Sequence, residues 1–169
     1  MKVGIVSDSH GSLGRIQAAI DIFVREKVEA VLHCGDIGSE SVLIELSLAF
    51  EPSGIPVHAV LGNVDQGDRA VYMPFLQAPG ISVHGHKADL KLADKRIAIL
   101  HGHDYQELDM VILSGQFDYV LTGHTHMQED VREGQTRVIN PGAIYRSNDP
   151  SVAILNLASD DLRYVSLDR

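Results

Sequence analysis

Five short stretches place histidine, aspartate or asparagine directly after an apolar run. They are Asp8-Ser9-His10, Gly35-Asp36, Gly62-Asn63, His101-Gly102-His103 and Gly123-His124-Thr125-His126. Carboxylate, amide oxygen and imidazole together suit borderline divalent ions such as Mn2+, Fe2+, Ni2+ or Zn2+. Because the chain has a single cysteine, its composition argues against a structural zinc site built on clustered thiolates. We therefore predict that these stretches bind metal.

The stretches hold more candidate ligands than one ion of about four or five ligands needs. The seven candidates are Asp8, His10, Asp36, Asn63, His101, His124 and His126. Two ions that share one carboxylate resolve this excess. The glycines beside the ligands allow the backbone to turn sharply without a side chain intruding.

The elements that position the first ligands alternate between strand and helix. Residues 3–7, 30–34 and 57–61 are apolar runs typical of buried strands, and residues 13–25 carry apolar positions at helical spacing. Ser39 is predicted to cap a second helix that ends near Phe50. This order predicts right-handed crossovers and a parallel sheet whose carboxyl edge carries the ligands.

The second half of the chain has a different pattern. Prolines and glycines break residues 67–80 into a loop or short helical turns, and we expect substrate specificity to lie within residues 66–86. Residues 88–92 and 96–100 predict an antiparallel hairpin, residues 107–113 a short helix and residues 119–122 a strand. Four later runs predict an antiparallel sheet: 129–132, 137–139, 152–157 and 162–167. The fold class we predict is α/β, a four-layer α-β-β-α sandwich of two mixed sheets flanked by helices.

Length, composition and charge limit the possible functions. With 169 residues, 44% of them hydrophobic, we expect one domain over residues 1–169. The net charge of -9 disfavours stable nucleic-acid binding, so a phosphate substrate needs a local positive source. No apolar run approaches a membrane span, and Cys34 cannot form an intrachain disulfide, so we expect a cytoplasmic protein without membrane attachment.

The ordered motifs D-x-H, G-D, G-N, H-x-H and G-H-x-H, running from Asp8 to His126, resemble those of the calcineurin-like metallophosphoesterases. The chain's length and simple helices are similar to the small prokaryotic phosphodiesterase branch of that family. The resemblance implies a two-metal phosphodiesterase that acts on a small phosphodiester, and it suggests a homodimer or higher oligomer. Mn2+ is the favoured ion, with Ni2+, Fe2+ or Zn2+ as alternatives.

The resemblance also implies a role for each ligand. It assigns Asp8, His10 and His126 to the first ion, and Asn63, His101 and His124 to the second. Asp36 would bridge the two, so that a water held between them loses a proton and attacks phosphorus in line. Asn63 would additionally contact a phosphate oxygen.

One position departs from the family pattern. Many phosphatases of the family have histidine after the G-N motif, near the leaving oxygen, where this chain has Val64. His103 is the nearest spare histidine, and we expect it to serve as the catalytic acid or phosphate contact. Since activated leaving groups need little proton donation, we expect hydrolysis of diesters to be favoured over hydrolysis of unactivated monoesters.

Several neighbouring residues are left out of the predicted site. His33 and Cys34 belong to a strand, where a free cysteine is more often a buried apolar residue than a ligand. The sequence His84-Gly85-His86 follows only a weak apolar run and is predicted to be a loop. The basic residues Arg69, Lys87 and Arg146 receive no role.

Three other functions compete with the two-metal enzyme. The retromer vacuolar sorting subunit shares the implied fold and binds protein partners, so a scaffold remains an alternative. The pair His103-Asp104 is spelled like the dyad of an all-helical phosphohydrolase class, but strands dominate this chain. A metallo-β-lactamase needs H-x-H-x-D-H, and the residues after His126 lack its Asp-His continuation.

Overall fold

The first half of the chain forms three parallel strands joined by helices, as predicted. The computed structural model describes residues 1–76 and 78–167. Strands β1 (Lys2–Val6), β2 (Ala30–His33) and β3 (Val57–Ala59) pair in parallel, and helices α1 (Leu13–Glu26) and α2 (Glu40–Phe50) connect them. The Ser39 side chain accepts from the Ser41 backbone N–H and caps α2, as the sequence predicts.

The segment before the second sheet contains one strand that was not predicted. Its start forms short helical turns, as expected: 3-10 turns over Gln66–Asp68 and Met73–Phe75 enclose α3 (Arg69–Tyr72). Strand β4 (Ile81–Val83) then pairs in parallel with β3. A run of three residues is too short to show the alternating pattern by which a strand is recognised.

The second sheet contains the predicted hairpin and a parallel strand beside it. Strands β5 (Lys87–Leu92) and β6 (Lys95–Leu100) are antiparallel, and β7 (Tyr119–Leu121) pairs in parallel with β6. Helix α4 (Tyr105–Leu113) connects β6 to β7. Strands β8 (Gln128–Glu133) and β9 (Thr136–Pro141) complete the order β5-β6-β7-β9-β8.

The last four strands do not form one antiparallel sheet, and that prediction was wrong. Strands β10 (Ser151–Asn156) and β11 (Asp161–Ser166) form a hairpin, but β10 pairs antiparallel with β1. The resulting six-stranded order is β11-β10-β1-β2-β3-β4, while β9 pairs in parallel with β7. Alternating apolar residues identify a strand, but they do not specify which strand it pairs with.

The predicted four-layer α-β-β-α arrangement is confirmed. Apolar side chains of both sheets, such as Ile5, Leu32 and Ile99, are buried against one another in the centre. Helices α1 and α2 cover the outer face of the six-stranded sheet, and α4 covers the outer face of the other sheet. In the part of the chain that the structure describes, no helix is long and apolar enough to span a membrane.

Candidate metal centre

The carboxyl ends of five strands bring the predicted ligands to one edge of the sandwich. Asp8 and His10 follow β1, Asp36 follows β2, and Asn63 follows β3 in one sheet. His101 follows β6, and the pair His124 and His126 follows β7 in the other. Backbone hydrogen bonds join the loops, because the N–H groups of Asp8 and His10 donate to the carbonyl oxygens of Gly35 and Asp36 at 3.1 and 3.0 Å.

One group of donor atoms surrounds the buried Asp8 carboxylate. Its Oδ1 lies 3.1 Å from Nε2 of His126 and 4.0 Å from Nε2 of His10. Ligand atoms of these three residues lie within 4.8 Å of one another, close enough to share one ion. They are the three residues that the sequence resemblance assigns to the first metal.

A second group of donor atoms joins the two carboxylates to His101. Nε2 of His101 lies 3.2 Å from Oδ1 of Asp36 and 3.9 Å from Oδ1 of Asp8. The other oxygen of Asp36, Oδ2, lies 3.8 Å from Nε2 of His10. The two oxygens of Asp36 therefore face imidazoles of different groups.

A backbone hydrogen bond on the side of the ring away from the carboxylates fixes the orientation of His101. Its Nδ1 donates to the carbonyl oxygen of Cys34 at 2.9 Å, since a carbonyl oxygen can only accept. This bond leaves Nε2 facing the carboxylates without a proton when the ring is neutral, the form that binds metal. Although burial acts in the opposite direction, the neighbouring Asp36 carboxylate raises the pKa of His101, and the same contact lowers the pKa of Asp36.

The residues present fit divalent ions. Within the described ranges, Oδ1 of Asp8 and Nε2 of His10 and His101 are buried side-chain atoms without a hydrogen-bond partner. Buried polar atoms are rarely left unpaired, and here they converge on the same space. Two carboxylates together with several imidazole nitrogens suit the borderline ions predicted above.

His124 and Asn63 lie at the rim of this cluster. The backbone N–H of His124 donates to Oδ2 of Asp8 at 3.2 Å, and its ring centroid lies 5.2 Å from that of His101. Burial and the neighbouring His101 lower the pKa of His124, which favours its neutral form. The Asn63 side chain is exposed, and the N–H of the next residue, Val64, donates to Oδ1 of Asp36 at 3.1 Å.

His103 lies beside the second group of donor atoms. Its ring centroid is 5.6 Å from that of His101 and 6.3 Å from that of His124. The side-chain amide nitrogen of Gln66 lies 2.9 Å from Nε2 of His103, so the amide donates and Nε2 accepts. Gln66 and His86 line a cleft of about 190 Å³ with His101 and His103, which brings both ends of the 66–86 segment to the site.

The residues left out of the predicted site have other partners. The Gly35 N–H donates to Nδ1 of the buried His33, whose Nε2 lies 2.8 Å from the Ser9 hydroxyl; burial lowers the pKa of His33 to about 4. His84 forms a 3.0 Å hydrogen bond with His58. Burial raises the pKa of the Cys34 thiol.

Two residues that the sequence did not single out hold the ligand loops. The buried Asp65 carboxylate accepts from the N–H groups of Ile37, Gly38 and Gly62 at 2.8 to 3.1 Å, and from the Tyr72 hydroxyl at 3.0 Å. It thereby ties the loop after β2 to the loop after β3. Its position two residues after Asn63 was the one sequence signal, and a turn carboxylate is too common for that signal to be specific.

Asn140 does the same for the loop after β7. Its Nδ2 donates to the Gly123 carbonyl oxygen at 2.7 Å and to Oγ1 of Thr125 at 3.1 Å. Its Oδ1 accepts from the N–H of Gly142 at 3.0 Å. The residue lies in β9, far along the chain from the loop it holds, so no local spacing reveals its role.

Two glycines are required by the close approach of the ligand loops. A Cβ atom at Gly62 would lie 2.1 Å from Oδ1 of Asp36, and one at Gly123 would lie 2.8 Å from Oδ2 of Asp8. Real Cβ atoms do not approach so closely. Any larger residue would displace the carboxylates.

The sandwich and its converging carboxylates and imidazoles define a metal-dependent phosphoesterase. The calcineurin-like phosphoesterase superfamily domain matches residues 1–160, so the chain belongs to this superfamily.

Named relatives narrow the class to phosphoric ester hydrolases. Phosphodiesterase MJ0936 of Methanocaldococcus jannaschii is 35% identical over 99% of this chain and 100% of its own length. Phosphodiesterase YfcE of Escherichia coli is 25% identical over 85% of this chain and 79% of its own length. The chain is therefore a metal-dependent hydrolase of phosphate esters, with diester hydrolysis favoured over monoester hydrolysis.

Solved structures give the same result. An archaeal phosphodiesterase superposes with a TM-score of 0.85 and 35% identity, covering 99% of this chain and 100% of that one. Vacuolar protein sorting 29 of Cryptosporidium parvum reaches a TM-score of 0.66 at 15% identity, with 99% and 98% covered. That lower likeness shows the shared fold alone, so the scaffold alternative has no support beyond the fold.

Proposed function

We propose that this chain hydrolyses small phosphodiesters with two divalent ions between its sheets. The observation that carries the proposal is the placement of Asp36, whose Oδ2 lies 3.8 Å from His10 while its Oδ1 lies 3.2 Å from His101. One ion belongs to Asp8, His10 and His126. Asn63, His101 and His124 would hold the other, and Asp36 would contribute to both.

The bound ions would supply positive charge to the phosphate oxygens and lower the pKa of an attacking water. The remaining tasks belong to side chains. Asn63, exposed at the rim, is available to a phosphate oxygen through its amide N–H. His103, held by the Gln66 amide, supplies a proton or a hydrogen bond to an oxygen of the substrate.

Two observations favour activated diesters over unactivated monoesters, and the first is Val64. Its side chain is 44% exposed beside Asp36, at the position where many family phosphatases have histidine. A valine cannot protonate a poor leaving group, so substrates with acidic leaving groups are favoured. The names of the relatives, both phosphodiesterases, support this choice.

Mn2+ is the ion we favour among the borderline divalent ions that a mixed set of carboxylates, an amide and imidazoles accepts, since metal availability often decides between such ions. The free, buried Cys34 supports a reducing compartment such as the cytoplasm.

The test is hydrolysis of bis(p-nitrophenyl) phosphate with Mn2+. Replacing ligands by Asp36→Asn or His124→Ala should lower kcat/KM at least about a hundredfold, since even partners of metal ligands cost 10- to 100-fold. Asp109→Asn, an exposed carboxylate on α4, is the matched control and should keep the parental rate. Equal rates for Asp36→Asn and the parent would refute the two-metal proposal, and faster turnover of an alkyl monoester would refute the diester preference.

A further inference from the structure

A second cleft opens beside the ligand His126 and has no part in the reaction described above. It has a volume of about 420 Å³ and is lined by residues 125–128 on one side and residues 146–149 on the other. A phosphodiester carries two substituents on phosphorus. When the phosphate lies at the ligands, one of these substituents can enter the cleft past His126.

Arg146 provides the positive charge of this cleft. Its guanidinium carbon lies 5.5 Å from the centroid of the Tyr145 ring, and that ring lies 6.2 Å from the ring of His10. A guanidinium stacked on an aromatic face keeps its in-plane N–H groups available for a planar oxyanion. The stacking therefore presents a fork of donors near the first group of ligands.

Within the described part of the chain, Arg146, like Arg25, lacks the carboxylate partner that four other arginines of the molecule have. Arg96, Arg132, Arg137 and Arg163 each form an ion pair with an aspartate or glutamate. Among the side chains that the structure describes, no carboxylate forms an ion pair with Arg146, although the protein has a net charge of -9. An exposed arginine without a carboxylate partner in an acidic protein is available to an anionic ligand.

The backbone at Arg146 is held in an unusual conformation. Its φ is 53°, in the left-handed region that non-glycine residues rarely adopt. The preceding turn is anchored, because Ile144 is buried and its N–H donates to the carbonyl oxygen of Ser7 next to the ligand Asp8. Such conformations persist where the surrounding structure fixes them, often at binding sites.

The cleft also holds one acidic group, Asp149, which accepts from the Ser166 hydroxyl at 3.3 Å. A carboxylate favours neutral hydroxyl or amino groups as neighbours, whereas the guanidinium favours an anion. A substituent that is a phosphorylated sugar satisfies both, with hydroxyls near Asp149 and the phosphate at Arg146.

We infer that Arg146 binds a second phosphate group, carried by the substituent that occupies this cleft. This inference rests on the proposed function and narrows its substrate class to phosphodiesters with an additional phosphate, such as a dinucleotide with a phosphorylated end. Arg146 is thus a specificity-determining residue, separate from the groups that act on the scissile bond.

The test compares the dinucleotide ApA with its 5′- and 3′-phosphorylated forms, using the full chain with Mn2+. The parent should hydrolyse one phosphorylated form with a kcat/KM about tenfold or more above that of ApA, as expected for a charged hydrogen bond. Arg146→Gln should abolish this preference, and Arg146→Lys should keep part of it, because lysine retains charge without the fork. Arg25→Gln, an exposed arginine in the last turn of α1, is the matched control and should keep the full preference.

A binding measurement separates this inference from the hydrolytic proposal. By calorimetry, adenosine 3′,5′-bisphosphate should bind the parent about tenfold more tightly than adenosine 5′-monophosphate, and Arg146→Gln should remove the difference. These ligands contain no diester bond, so the result stands even if the chain cleaves no dinucleotide. A parent without preference for the extra phosphate in either measurement, or an Arg146→Gln variant that keeps it, would overturn the inference.

Discussion

Five of the proposed metal ligands have a backbone conformation that is unfavourable for their residue types. Asp8, His10, Asp36, His124 and His126 all have φ between 44° and 68°, in the left-handed region. Each such residue costs free energy, typically about 1 to 3 kcal/mol, and persists only where surrounding contacts fix it. Here hydrogen bonds supply the contacts, since Asp65 and Asn140 hold the loops of Asp36 and of the His124–His126 pair. The backbone N–H groups of Asp8 and His10 donate to the loop of Asp36. We infer that these residues lower the free energy of unfolding and that their conformation directs the ligand side chains toward one space.

Gly62, whose backbone packs against the Asp36 carboxylate, provides a prediction at the residue scale. Gly62→Ala would place a Cβ 2.1 Å from Oδ1 and 2.4 Å from the backbone nitrogen of Asp36, so the carboxylate must move. We expect a loss of about 1 to 3 kcal/mol in the free energy of unfolding. Affinity for Mn2+ should fall at least about tenfold, as it does when partners of ligands are disturbed.

Denaturant unfolding and calorimetric titration with Mn2+ measure the two effects. The matched control is Gly67→Ala, whose added Cβ meets nothing within 4 Å. It should leave both quantities near the parental values. Parental affinity in Gly62→Ala would show that Asp36 can shift without consequence for the ions.

At the scale of elements, the sequence predicts what a single strand does and not which strand it pairs with. The runs that become β1, β2, β6 and β7 are recognisable because each ends abruptly at a ligand. In contrast, β4 has three residues, and β10 crosses to the other sheet through a pairing with β1 that no local pattern encodes. The same limit applies to the site. Asn140 is distant in sequence from the loop that it holds, and Asp65 belongs to no specific motif. The convergence of the predicted residues at one sheet edge was predictable, and the residues that hold their loops were not.

The two sheets are tied by a charged network that yields a second prediction. Arg137 in β9 forms two hydrogen bonds to the Asp130 carboxylate in β8, at 2.7 and 2.8 Å. Its Nη1 donates to both the carboxylate, at 2.7 Å, and the carbonyl oxygen of Asp160, in the turn between β10 and β11. Because the Arg137 side chain is only 11% exposed, Arg137→Met should lower the free energy of unfolding by about 2 kcal/mol at pH 7, after allowance for the partly exposed aspartates.

The effect should depend on pH in a defined direction. The hydrogen bond from Arg137 lowers the pKa of Asp130, so this contribution is present above the carboxyl's unfolded value of about 4 and is lost as pH falls through the folded value. Urea unfolding should give a smaller difference in the free energy of unfolding between parent and variant at pH 3 than at pH 7. Arg96→Met, which breaks an equivalent but exposed pair with Asp89, is the control and should cost much less. A pH-independent difference would mean that Arg137 acts through packing alone.

For the whole molecule, the negative net charge of the protein and the charge at the metal site have different consequences for phosphate substrates. The net charge of -9 opposes any polyanion, and the expectation of no stable nucleic-acid binding stays a prediction. Within the site, two buried carboxylates, Asp8 and Asp36, lie within 4.0 Å of the same imidazole nitrogens. Bound ions would neutralise these two carboxylates. They would also attract a small phosphate substrate locally, which the acidic surface does not do.

The same charge argument predicts that metal stabilises the whole fold. An ion that binds only the folded chain adds about 2.7 kcal/mol at a hundred times its Kd. For a chain of 169 residues this corresponds to a rise in Tm of about 5 to 10 °C, reversed by a chelator. Thermal unfolding of metal-free protein with added Mn2+, Ni2+, Zn2+ or Fe2+ measures the rise and ranks the ions.

Asp36→Asn, which removes the shared carboxylate charge, should lose most of the rise, whereas Asp109→Asn should keep it. An equal rise in Asp36→Asn would place the stabilising ions elsewhere in the molecule and would contradict Asp36 as the carboxylate between them.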